Sequence, residues 1–245
     1  MEGMDIRGLL NEQLSYYRVG AAEYDSSNRR MLLPVDDPAW SADYQRGYET
    51  GAAAAEAVSW GKDVVELAGG TGLYTERLAR CAAKLTVVDA SPEALQISRA
   101  TVGAVRQDID YVVADLFTWH PPRRYDAGFF AFWLSHVPHS LFAEFWDRVH
   151  QALAVGGEVV FVDSMAPMAG QDTSPAPPDE ELFPEERLDD EVSVRSLTDG
   201  SRFRIVRVLW ERSALRAALK QLGWDVQFDE ESPWLIGRAS RTAFT

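Results

Sequence analysis

From residue 63 onward, short apolar runs rich in β-branched residues alternate with longer stretches whose apolar residues recur every three or four positions. Short apolar runs bounded by turn residues predict strands, and the 3.6-residue period predicts helices. The predicted strands cover 63–68, 84–89, 110–114, 125–131 and 158–163, each followed by a turn. Strands separated by helices pair in parallel and bury both faces, so the pattern predicts an α/β, doubly wound, mostly parallel sheet. Further on lie a strand at 203–209, an amphipathic helix at 213–222, and two short strands at 224–228 and 234–239 that read as a hairpin closing the sheet.

Local signals sharpen several boundaries. Ser91 followed by Pro92 starts a helix, because the hydroxyl caps free N–H groups and proline fits the first helical position. Residues 140–153 set Phe142, Phe145, Trp146, Val149 and Leu153 at helical spacing and stop at Gly156 and Gly157. Two helical patterns, 6–19 and 42–59, precede the first strand. They stand outside the βα series and are expected as a cover over the strand ends, where ligands bind in open α/β sheets. Residues 166–190, with five prolines and an acidic cluster, read as an insertion or lid whose charges form a solvated loop face.

A chain of 245 residues with 46% hydrophobic content supports one sizeable core. The expected division of this single domain is a helical cover (1–60), a ligand-binding core (61–164), an insertion (165–202) and a completion of the sheet (203–245). Thirty-eight acidic against 24 basic residues, a formal charge of −14, repel phosphate backbones and anionic lipid, which argues against nucleic acid or membrane as partners. The single cysteine, Cys81, falls in a helical pattern and reads as a small core residue. Without a signal-peptide pattern near the N-terminus or an apolar run of about 20 residues, the expected location is cytoplasmic.

The sharpest chemical signal is Val64-Val65-Glu66-Leu67-Ala68-Gly69-Gly70-Thr71-Gly72, a strand running into a glycine-rich turn and then a helix. Glycines let a ligand lie against bare backbone, and a helix N-terminus offers unpaired N–H groups to something anionic or polar. Gly70 and Gly72 are followed by Thr75 where a nicotinamide-type G-x-G-x-x-G wants a third glycine. The stretch resembles the first motif of the class I S-adenosylmethionine-dependent methyltransferases, roughly acidic-x-G-x-G-x-G, with Glu66, Ala68, Gly70 and Gly72 at those places and Ala68 replacing a glycine. The resemblance implies a Rossmann-like, seven-stranded methyltransferase fold and S-adenosylmethionine as cofactor, leaving as S-adenosylhomocysteine. It also implies that the backbone from Ala68 through Gly69 to Gly70 passes beside the methionine part, with Thr71 available to its carboxylate.

Asp89, followed by Ala90, ends the second predicted strand, a position from which a carboxylate accepts hydrogen bonds from both ribose hydroxyls. Asp115 and Leu116 after the third strand are similar to the family's motif in which the acid meets the adenine amino group and the next residue packs on the ring. Residues 125–138 look like the family's fourth strand and following turn and bring Phe132 to the cofactor side. Tyr17 and Tyr24 resemble tyrosines that fold over the cofactor in bacterial small-molecule methyltransferases; plain lid packing fits them as well.

A methyl sulfonium is already activated, so the protein must align an acceptor and, for a hydroxyl, remove its proton. His136, His139 and Asp163 follow the fourth and fifth strands and are the candidate catalytic groups, His136 foremost as a general base. For both His136 and Asp163, a turn or capping role is the competing reading. Phe132, Trp133, Met165 and Met168 are the expected acceptor-pocket residues and suit an apolar or ring-bearing small molecule, with Arg195 or Arg207 either joining them or standing as surface charges. Phe132-Trp133 after the fourth strand offers no hard oxygen ligand, so no metal is expected. O-methylation of a metabolite or natural product is the expected reaction. The alternatives are a protein of the same fold that binds the cofactor without methyl transfer, acting as a binding protein, isomerase or cyclase, and a nicotinamide-dependent reductase.

Overall fold

The computed structural model describes residues 5–31, 38–165 and 185–242. The N-terminal helices are α1 (Ile6–Val19), α2 (Ala21–Met31) and α3 (Pro38–Ser59). Next come strand β1 (Asp63–Leu67), helix α4 (Thr75–Cys81), β2 (Lys84–Asp89), α5 (Pro92–Val102) and β3 (Asp110–Val113). The second half of the winding is β4 (Tyr125–Ala131), a single 3-10 turn (Leu134–His136), α6 (His139–Ala152) and β5 (Leu153–Asp163). Three short strands follow, β6 (Glu185–Arg187), β7 (Val192–Ser196) and β8 (Arg202–Val206), then α7 (Arg212–Gln221), β9 (Trp224–Phe228) and β10 (Leu235–Arg241).

The main sheet has seven strands in the order β3-β2-β1-β4-β5-β10-β9. β1 to β5 pair in parallel, whereas β10 is antiparallel to both β5 and β9. Winding outward from β1 to β3 and then returning to β4 leaves a topological switch point between β1 and β4, where open α/β sheets bind ligands at their carboxyl ends. The strand alternation sorts the core into two layers. Phe129, Val160 and Val162 pack with Ala52, Ala55, Val58, Leu78 and Leu95 of α3, α4 and α5. Phe130 and Phe161, register partners with stacked rings 5.5 Å apart, face Phe145, Trp146, Leu215, Leu219 and Trp224. Trp146 is fully buried among five aromatic rings of this layer. Trp146→Ala is expected to cost about 3–5 kcal/mol, read as a lowered denaturation midpoint.

Ser91 caps α5 through its hydroxyl, accepting from Ala94 N at 3.0 Å, with Pro92 in the first turn as expected. Several expectations need correction. The predicted strand at 203–209 is β8, and it does not complete the main sheet: it pairs antiparallel with β7, and β7 with β6, in a separate three-stranded sheet. α1 lies on that sheet, burying Leu9 against Val192, Val206 and Val208, and Tyr16 against Leu197 and Ile205. The 42–59 pattern belongs to a longer helix, α3, whose alanines pack on a face of the sheet, so only α1 and α2 lie over strand ends. β5 starts five residues earlier than predicted, because α6 runs directly into it and Gly156, at φ +78°, accommodates an irregular first stretch. Within the 166–190 insertion, residues 166–184 lie outside the described residues, while Glu185 opens β6 and is largely buried between Arg195 and Arg207. Cys81 is half-buried at the end of α4.

Candidate active site

β1 delivers its last residues into a turn whose backbone is left-handed at Ala68 (φ +53°), Gly70 (φ +55°) and Gly72 (φ +95°). The glycines serve different purposes. A Cβ at Gly69 would meet Val87 Cγ1 at 2.3 Å, and one at Gly72 would meet Ser98 Oγ at 2.7 Å, so these two let the turn close on β2 and α5. A Cβ at Gly70 would meet nothing within 4 Å, and Gly70 lines a cavity. The bare backbone there is a cradle that a side chain would fill. Gly70→Ala therefore should fold but weaken nucleoside binding at least tenfold by calorimetry, since the added methyl takes ligand space in a conformation that already disfavours alanine.

Asp89, at the carboxyl end of β2, is braced under this turn: Oδ2 accepts from Gly70 N and Oδ1 from Ser91 N, both at 2.8 Å. Burial raises its pKa, opposed by the N–H groups of Ser91, Gly70 and Ala90. A carboxylate oxygen carries two lone pairs, so each oxygen of Asp89 keeps one for a ligand in the cavity that Asp89 lines. Asp115 holds a turn by accepting from Phe117 N at 2.9 Å and shares the cavity wall with Leu116 and Phe117. Glu66 differs from both. It is buried in β1 beneath the turn, and its Oε2 has no hydrogen-bond partner among the described residues. Burial pushes its carboxyl up to about 8, with the neighbouring Thr75 hydroxyl acting the other way and the Asp89 charge adding to the rise.

These groups surround one cavity of about 920 Å³, its open mouth included. The floor is the Ala68-to-Thr71 turn with Asp89, Ala90 and Ser91. One wall holds Leu116, Phe117, Phe132 and Trp133, with Phe132 at φ +51° where β4 ends. α1 and α2 form the cover through Leu10, Gln13, Leu14, Tyr17 and Tyr24. Tyr17 packs edge-on against Tyr24 and His136, with ring centroids 5.5 and 5.4 Å apart.

His136 lies in the 3-10 turn after β4, buried, with both ring nitrogens engaged. Nδ1 is 2.7 Å from Val206 O and Nε2 is 2.7 Å from Tyr17 Oη. A carbonyl only accepts, so Nδ1 carries the proton, and Nε2 accepts the Tyr17 hydroxyl. Burial, then the charges of Arg195 and Arg207, hold the imidazole pKa well below its ordinary value. Tyr17 is driven the other way, well above the phenol range, mainly by burial. The pair is therefore neutral at physiological pH.

Of the residues picked from sequence, Tyr17, Tyr24, Ala68, Gly70, Thr71, Asp89, Ala90, Asp115, Leu116, Phe132, Trp133 and His136 meet around this cavity. Glu66, Gly69 and Gly72 support it from below. His139 does not reach it: the residue begins α6, exposed, with its ring edge-on to Trp210 and its N–H donating to Glu191. Asp163 is buried away from the cavity and accepts from Ser135 N at 2.9 Å, so it fixes the turn that carries His136. Burial raises its pKa and the Arg207 charge opposes the rise. Met165 bridges to Trp210 away from the lining, and Met168 lies outside the described residues. Arg195 is no surface charge: it is 8% exposed and forked onto Glu185 Oε2 at 3.0 and 3.1 Å. Sequence reading missed Gln13, whose signal was a polar residue on the buried face of α1 between Leu9 and Tyr16. It also missed Phe117, next to a residue already chosen. Among the described residues no group of three or more His, Cys, Asp or Glu side chains is placed to hold a metal ion, and no helix is long and apolar enough to cross a membrane.

Fold and site together define a doubly wound α/β protein with a ligand-sized cavity at its β1–β4 switch point. The methyltransferase domain family matches residues 64–157. Two solved structures align over almost the whole chain. The DhpI–SAH complex is 33% identical, covering 97% of this chain and 99% of that one at a TM-score of 0.74. The DhpI–SAM–HEP complex is 34% identical, covering 96% and 98% at 0.70. The CcbJ methyltransferase from Streptomyces caelestis shares the fold at 18% identity, covering 80% of this chain and 90% of that one with a TM-score of 0.58. Among curated proteins no sequence matches. The chain belongs to the class I S-adenosylmethionine-dependent methyltransferases. It is a transferase, and its cofactor is S-adenosylmethionine.

Proposed function

We propose that the protein methylates a hydroxyl oxygen of a small acceptor molecule, with Tyr17 and His136 taking the proton. The observation that carries this reading is the hydrogen-bonded pair in the cavity wall, a phenol whose proton already points at an imidazole lone pair. The cradle at Gly70, the two lone pairs left on Asp89 and the polar floor at Thr71 fit a nucleoside bearing an amino-acid tail. Asp89 would hold the ribose, Asp115 and Leu116 the adenine, and Ala68 to Thr71 the methionine part. When bound, S-adenosylmethionine supplies a methyl group on a cationic sulfur, so transfer leaves the cavity one positive charge poorer.

Tyr17 Oη accepts the acceptor's hydroxyl proton while its own proton passes to His136 Nε2. The imidazolium so formed keeps Nδ1–H on Val206 O and restores the lost charge. Before transfer the depressed imidazole pKa keeps Nε2 unprotonated. The aromatic wall of Phe117, Phe132 and Trp133 shields the site from water and suits an acceptor with apolar surface. A net charge of −14 supports a small molecule over a nucleic acid and fits a cytoplasmic protein. The test is transfer of labelled methyl from S-adenosylmethionine to fractionated metabolites, with the product analysed by mass spectrometry. Label in an O-methyl ether supports the reading, whereas label in an ester, label confined to amines, or none at all, overturns it.

A further inference from the structure

We propose that Gln13 is a positioning residue for methyl transfer: seated on α1, it locks His136 into the orientation that turns Nε2 toward Tyr17, so the proton acceptor is assembled only when α1 is docked. The inference rests on the Tyr17–His136 reading above.

Gln13 is 4% exposed on the buried face of α1. A buried amide is costly unless both its ends are bonded, and here they bond to two different elements. Its Nε2 donates to His136 O at 3.3 Å, and its Oε1 accepts from Val206 N at 2.9 Å. Val206 O in turn accepts from His136 Nδ1 at 2.7 Å. Gln13, His136 and Val206 thus close a ring that ties α1 to the turn after β4 and to β8. Each bond restrains something different. The first orients the His136 backbone, the second holds the end of β8, and the third selects the imidazole tautomer.

Tyr17 stands one turn further along α1, at i+4 from Gln13 and hence on the same side of the helix. One helix therefore supplies contacts to both the backbone and the ring of His136. α1 also covers the cradle, so its displacement would open the cavity and release the histidine together. The ion pairs elsewhere on α1, Glu12 to Arg204 and Arg18 to Glu93, are substantially exposed and hold little by themselves. Only an uncharged side chain with a donor and an acceptor at glutamine's reach completes the ring without adding charge.

Tyr17 on α1 bonds the imidazole and packs against Tyr24 on α2. Arg195 on β7 and Arg207 just past β8 act on the imidazole through their charge, Glu185 on β6 pairs with both arginines, and Asp163 at the end of β5 holds the neighbouring Ser135. Burial, then the two guanidinium groups, disfavours protonation of the imidazole, and the bond to Val206 O opposes them.

The test is nitrogen-15 NMR of the imidazoles in the whole chain with S-adenosylhomocysteine present, which needs neither an acceptor nor turnover. The chain has four histidines, and a His136→Asn spectrum assigns the one in question. Wild type is expected to show one Nδ1–H tautomer, unprotonated at pH 6. Gln13→Met should average the tautomers and raise the titration midpoint by at least one pH unit. Glu12→Ala, which removes an exposed ion pair from α1 without touching His136, should leave the signal unchanged. Should Gln13→Met not fold, the shorter Gln13→Asn carries the same comparison.

An Nε2–H tautomer in wild type overturns the inference. So does an unaltered signal in the Gln13 variant, or an equal change in Glu12→Ala. If the Gln13 effect appears but Tyr17→Phe and His136→Gln retain full turnover, the proton-acceptor reading has failed and the orienting role of Gln13 has not.

Discussion

Replacing Asp89 with alanine is expected to weaken S-adenosylhomocysteine binding by about 10²–10³-fold. Hydrogen bonds to a charged acceptor contribute roughly 1.5–3 kcal/mol each, so two ribose hydroxyls on one carboxylate give at least about 3 kcal/mol, where each 1.4 kcal/mol is tenfold. The variant also strips Gly70 N of its acceptor at the crest of the turn, so part of the loss reaches the cradle itself. Asp89→Asn keeps the shape and one acceptor and should lose less, about tenfold. Calorimetry with the full chain decides. An alanine variant within threefold of wild type removes Asp89 from the ribose.

The second large effect is on turnover. His136→Gln should lower kcat by about 10²–10³-fold, the scale of a positioned general base, while S-adenosylhomocysteine affinity stays within threefold. Tyr17→Phe keeps the ring packing but removes the oxygen between acceptor and imidazole, and should lower kcat similarly. The pH dependence has a definite sign. Burial and the Arg195 and Arg207 charges hold the imidazole pKa well below the ordinary histidine range, so the base is unprotonated at and above that range. The kcat profile is therefore flat through pH 6.5, with any acid limb displaced to lower pH. An acid limb centred on the ordinary histidine value would show that His136 is not the group being titrated, or not the group that matters.

What the sequence revealed was local. The glycine turn, the Ser91-Pro92 helix start and the acids at the ends of β2 and β3 each announce themselves within a few residues, because turn conformation and capping depend on near neighbours. Their placement around one cavity follows from parallel winding, which brings strand ends together. What escaped was non-local or rotational. β8 reads as a strand, but nothing in its pattern says that it pairs with β7 and receives α1. Arg195 and Glu185 look like surface charges until β6 and β7 pair and bury them against Tyr16 and Arg207. His139 and Asp163 sit at the right places along the chain, yet one points to solvent beside Trp210 and the other turns under Ser135. α2 was missed because its sequence is mostly polar, without an apolar stripe to mark it.

The most direct test of the central claim is a crystal structure of the whole chain grown with S-adenosylhomocysteine. The account predicts the nucleoside in the cavity at the β1–β4 switch point, ribose hydroxyls on the Asp89 carboxylate and the amino-acid tail against the backbone at Gly70. A ligand bound elsewhere, or a saturated crystal in which Asp89 touches only its own backbone, would contradict it.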